Sequence, residues 1–85
     1  MARSAREPGT IRVVVGDRVR RTREQMKLSQ EAVAFASDMS LRHYGNIERG
    51  VTNTSIEQLA RIAHALGVQP ATLIPPLDGD GQPVS

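Results

Sequence analysis

The sequence predicts an all-α domain of five short helices, and three observations predict it. The stretch from Leu28 to Gly50 reads as two capped helices joined by a tight turn. On either side of it, apolar residues recur at helical spacing. Gly and Pro stand between the periodic stretches, as they do between helices.

The opening residues, MARSAREPG, are polar and end in Pro-Gly. Residues 1–9 read as a flexible basic arm, with Arg3 and Arg6 either free or touching a polyanion backbone. The first helix runs from about Ile11 to Lys27, with Thr10 as a cap. Ile11, Val15, Val19, Thr22 and Met26 define its inward face. The Val13-Val14-Val15 run also suits a strand, but the length of the periodic segment and its Arg-rich continuation favour helix. Arg18, Arg20 and Arg21 lie elsewhere around the cylinder, in water.

Ser29 caps a second helix, Gln30 to Ala36. It turns Val33 and Ala34 inward, and small residues let the next helix cross closely. Phe35 is expected to pack at the core edge, with a partner interface as the alternative. Ser37-Asp38-Met39 makes the turn, where Asp38 tolerates a left-handed conformation. Ser40 then caps a third helix that runs to Arg49 and stops at Gly50, a left-handed C′ residue. Tyr44 and Ile47 face inward. Leu41, Arg42, Gly45, Asn46 and Arg49 are left outside. Gly45 costs about 1 kcal/mol relative to Ala. Close approach of the backbone to a binding partner or to another helix would explain it.

Gly50 to Asn53 is a loop. Thr54 or Ser55 caps the fourth helix, and each has an acid or amide three residues on, Glu57 or Gln58, in a capping-box pattern. Ile56, Leu59, Ala60, Ala63 and Leu66 make its apolar stripe, and Gly67 ends it. Pro70 suits the first turn of a short fifth helix carrying Leu73 and Ile74, which halts before Pro75-Pro76. Residues 76–85, rich in Gly, Pro and Asp, read as a disordered tail, leaving 10–75 as the folded domain.

Composition narrows the function classes. The 85 residues make one small domain, and with one Tyr, one Phe and no Trp its core is aliphatic. The lack of Cys rules out disulfides and thiolate metal sites and suits a cytoplasmic protein. No apolar run approaches the roughly 20 residues of a membrane span, so no membrane partner is expected. Charge is uneven: residues 1–27 sum to +5 and residues 28–85 to −3. A basic first third is compatible with a polyanion partner, and equally with a solvated helix face.

The third helix carries the chemistry. A short capped helix showing Arg and Asn suits a DNA major groove, where Arg forks onto guanine and Asn onto adenine. Here the residues meet a family. Leu28-Ser29-Gln30-Glu31, the small Ala34 and Ile47-Glu48-Arg49-Gly50 closely resemble the helix-turn-helix of Cro and phage-repressor-type (XRE-like) regulators. Asn53-Thr54-Ser55-Ile56 and Ile62-Ala63-His64-Ala65-Leu66-Gly67-Val68 continue the pattern, and the resemblance spans roughly Val15 to Ile74. It implies a compact five-helix lambda-repressor-like DNA-binding domain, with the third helix reading bases.

Carried over position by position, the resemblance implies a set of contacts. Leu41, Arg42 and Asn46 are the base-edge candidates, with Arg42 foremost. Ser40 and His43 stand at the groove entrance. Gln30 bonds a phosphate at a helix N-terminus, and Arg49 and Asn53 flank the backbone on the other side. The same resemblance implies an Arg23–Glu48 ion pair joining the first helix to the third. Specific binding by so small a chain implies a homodimer on an inverted repeat. The family's habit points to Val68, Leu73, Ile74 and Leu77 as dimer contacts or as closure of the monomer core.

An enzyme is the first rival. His43 and His64 lie on separate helices, and Ser29, Ser40 and Ser55 are accounted for as caps. No catalytic residue, metal or cofactor is expected. The alternative is a protein-interaction module, antitoxin-like, that keeps the fold and binds a protein partner. Leu41 and the interior Gly45 lean that way; outward Arg42, Asn46 and Arg49 lean toward DNA.

Overall fold

The computed structural model describes residues 10–84. The arm expected at residues 1–9 lies outside the described residues. Four α-helices follow in order: α1 (Thr10–Gln25), α2 (Gln30–Ala36), α3 (Leu41–Arg49) and α4 (Ile56–Leu66). The fifth helix is not an α-helix. Pro70–Leu73 closes a single 3-10 turn. The reason is local: Ile74 precedes Pro75, and a residue before proline is pushed out of the helical region. Ile74 is accordingly extended, at φ −103° and ψ 123°.

Caps set the other boundaries. α1 stops two residues short of Lys27, which takes a left-handed φ of 58°. Ser40 stands outside α3 as its N-cap and accepts from the His43 backbone N–H at 3.0 Å. Asp38 has φ 59°, so the turn between α2 and α3 takes the left-handed form expected there. Ser55, not Thr54, caps α4. Its hydroxyl accepts from Gln58 N at 3.0 Å, and Gln58 Oε1 accepts from Ser55 N at 3.2 Å.

The core joins Val15 and Val19 of α1, Val33 and Ala34 of α2, Tyr44 and Ile47 of α3, Leu59, Ile62, Ala63 and Leu66 of α4, and Leu73. The α4 stripe is rotated from the expected one. Its buried residues follow the i, i+3, i+4, i+7 pattern of a single face. Ile62 sits at its centre, while Ala60 and Ile56 are exposed, Ile56 by 88%. Phe35, also 88% exposed, does not pack at the core edge. Leu73, by contrast, is fully buried and closes the monomer core.

α1 and α3 approach backbone to backbone, and two glycines permit it. A Cβ on Gly16 would lie 2.3 Å from the Ile47 carbonyl oxygen. Gly50, at φ 73°, packs where a Cβ would stand 2.6 Å from Val13 Cα. Two arginines close the bundle from outside. Arg61 Nε donates to the Ser37 carbonyl at 3.0 Å. Arg18, expected in water, donates through Nη1 to the Thr72 carbonyl at 3.0 Å. Residues 76–84 turn back on themselves: Leu77 and Pro83 form an antiparallel bridge, and Asp78 N donates to Gln82 O at 2.8 Å.

Candidate nucleic-acid interface

α3 has two faces with different tasks. Its inner face is anchored by a buried polar cluster centred on Glu48. Arg23 forks onto that carboxylate, Nε to Oε2 at 2.6 Å and Nη2 to Oε1 at 3.2 Å. The Tyr44 hydroxyl donates to Oε2 at 2.5 Å and Gln30 Nε2 to Oε1 at 2.9 Å. Arg23 also donates through Nη1 to the Leu28 carbonyl at 2.9 Å. One carboxylate thus ties α1, α2 and α3 together.

Burial alone would push the Glu48 carboxyl up. Hydrogen bonds from Arg23, Tyr44 and Gln30, with the Arg23 charge, outweigh it and hold the group below the usual carboxylate range. Burial, and then the Glu48 carboxylate, push the Tyr44 phenol up. Arg23 is held charged, chiefly by its bond to Glu48. The Arg23–Glu48 pair is the one the sequence implies. Gln30 and the Tyr44 hydroxyl are additions. The i, i+4 spacing of Tyr44 and Glu48 was the available signal for the second; Gln30 has none, because its bond spans eighteen positions.

The outer face carries the expected contact residues. Leu41 is 45% exposed. Arg42 is exposed and pairs with no other described residue. Asn46 and Arg49 meet each other, Arg49 Nη2 donating to Asn46 Oδ1. Ser40 spends its oxygen on the cap and keeps its O–H. His43 is half-buried, and its Nε2 is closed to solvent without a hydrogen-bond partner among the described residues. Gln30 commits one amide N–H to Glu48 and keeps the other. Asn53 sits apart in the loop after α3, where its Oδ1 accepts from Arg12 Nη1 at 3.2 Å. Arg12 is therefore a cation beside the site that the sequence reading missed, since forty-one residues separate the pair.

A family model described as helix-turn-helix matches residues 19–73. The chain belongs to the Cro/XRE-like helix-turn-helix family. Control protein C.BamHI of Bacillus amyloliquefaciens is 40% identical over 65 residues, covering 75% of this chain and 80% of that protein. The crystal structure of the restriction-modification controller protein C.AhdI from Aeromonas hydrophila superposes with a TM-score of 0.72 at 36% identity, over 74% of this chain and 96% of that one. The clp gene regulator ClgR from Corynebacterium glutamicum gives 0.74 at 33%, over 79% and 86%. These three relatives are named as a control protein, a controller protein and a gene regulator. Among the described residues no helix is long and apolar enough to cross a membrane, and no cluster of His, Asp and Glu is arranged to hold a metal.

Proposed function

We propose that this chain is a cytoplasmic transcriptional regulator that binds double-stranded DNA in a sequence-specific way, as a homodimer on an inverted repeat, with α3 in the major groove. One observation carries the reading: α3 is locked to the core through Tyr44, Ile47 and Glu48 while its opposite face presents Leu41, Arg42, Asn46 and Arg49 to solvent. A rigid helix with a free forked donor, Arg42, on one side can meet base edges without ordering itself on binding. Gln30, Ser40, His43 and Asn53 flank that face as backbone or groove-entrance contacts, and Arg12 adds charge beside Asn53. The relatives named controller proteins and gene regulators support the same reading.

Dimerisation has a candidate surface. A groove of about 200 Å³ lies between the start of α1, the loop after α3 and the start of α4, lined by Ile11, Val15, Leu59 and Ile74. Ile56, also in its lining, stands 88% exposed. A homodimer on an inverted repeat needs its two α3 helices on half-sites about one DNA turn apart. Of the dimer contacts the sequence suggested, Ile74 lines this groove and Leu73 is withdrawn into the core.

A protein-binding module remains the second reading, favoured by the exposed Phe35 ring. Selection from random duplexes decides between them. Enrichment of an inverted repeat by the wild type, lost in Arg42→Glu with the thermal melt unchanged, supports the DNA reading. No enrichment and no binding at low salt overturns it.

A further inference from the structure

Asn46 and Arg49 lie one turn apart on the solvent face of α3, and Gly45 lies beside them. Arg49 bends back so that its Nη2 donates to Asn46 Oδ1. Its guanidinium rests over Gly45, where a Cβ would come within 3.3 Å of Nη1. The glycine leaves room for that fold-back.

The pairing changes what Asn46 can read. A free Asn side chain offers one donor edge and one acceptor edge. That matches adenine in the major groove, with its N7 acceptor and N6 amino donor. Here the acceptor edge is held by Arg49. The guanidinium stands beside Oδ1, where an adenine amino group would have to come, and N–H would face N–H. Oδ1 keeps a second lone pair, but the guanidinium N–H groups crowd it, and the outward groups are mainly donors: Asn46 Nδ2 and the remaining guanidinium hydrogens. Guanine presents two acceptors, N7 and O6, and no donor in their place.

We propose that Asn46 and Arg49 act as one donor-rich reading unit that favours guanine, with Arg49 the specificity-determining residue that turns Asn46 away from adenine. This rests on the DNA-binding reading of α3. Arg49 then has a part in base choice as well as its expected place beside the backbone.

The test is duplex selection at low salt, where phosphate contacts are strong, with wild type, Asn46→Ala and Arg49→Met. Asn46→Ala locates the base pair read by residue 46, because preference there is lost at one position per half-site. At that position the wild type is expected to enrich guanine over adenine by roughly tenfold. Arg49→Met is expected to turn the preference to adenine and leave the rest of the repeat intact. Adenine in the wild type, or guanine retained in Arg49→Met, overturns the proposal. So does an Arg49→Met protein that recovers no repeat at low salt, since Arg49 would then be a backbone anchor. So does an Asn46→Ala protein with an unchanged repeat. A wild type that enriches nothing overturns the DNA reading itself and this inference with it.

Discussion

Glu48 is the residue on which the site's rigidity turns. Its side chain is 2% exposed and that of Arg23 13%, so the carboxylate has no water to fall back on and the guanidinium only a little. Removing one partner of such a pair leaves the other buried and unmatched, a loss of roughly 3–5 kcal/mol. Arg23→Ala is expected to cost about 3 kcal/mol in a urea titration, near the low end because Tyr44 and Gln30 still bond the carboxylate. The same cluster sets a pH window. Glu48 is lowered in the folded protein, so its contribution is complete above the unfolded carboxylate value of about 4.3 and is lost as pH falls from there toward the folded value. Tyr44 is raised, so its contribution is complete below about 10 and is lost as pH climbs beyond it. Unfolding free energy plotted against pH should show both shoulders, and Tyr44→Phe should erase the alkaline one.

Between elements, the decisive contact is α1 on α3. The sequence shows Val15 and Val19 as an inward pair, but Gly16 beside them passes for a weak spot in a helix. In the structure it is the crossing point, with the carbonyls of Ile47 and Glu48 2.3 and 2.7 Å from where a Cβ would be. Those oxygens belong to backbone and cannot rotate away. Gly16→Ala would gain about 1 kcal/mol of helix propensity and lose more to forced separation of the helices, since overpacking costs about 1–3 kcal/mol and occasionally more. A net loss of about 2 kcal/mol, seen as a fall in Tm of roughly 10 °C, is the expected outcome. An unchanged melt would mean that the helices do not meet there.

At the scale of the whole molecule, the uneven charge is less free than the sequence suggests. Arg20 and Arg21 pair with Asp17, Arg20 also with Glu24, and Arg23 with Glu48. Exposed pairs of the first kind add little stability, but they leave α1 a poor polyanion surface. On the proposed DNA reading, the cations that would meet the duplex are Arg42 and Arg49 on α3 and Arg12 near Asn53. The groove also has an exposed apolar residue in its lining, Ile56. Ile56→Asp is expected to turn a dimer into a monomer in sedimentation velocity and to weaken operator binding, with the monomer's fold kept because Ile56 is already 88% exposed. A dimer that survives the change would place the interface elsewhere.

The sequence by itself determined what is local. Caps at Ser29, Ser40 and Ser55 and left-handed stops at Gly50 and Gly67 lie within a turn of the helices they bound, so α2, α3 and α4 were legible almost to the residue. The outward set on α3 followed from the same periodicity, apart from Gly45, which the Arg49 side chain buries. Tertiary structure decided the rest. Which edge of the α4 stripe turned inward depended on where α2 and the turn at Leu73 packed. Gln30's bond to Glu48, Arg12's to Asn53 and Arg18's to Thr72 join positions far apart in the chain. No spacing rule reaches that far, because those distances are set by how the helices cross and not by the pitch of any one of them.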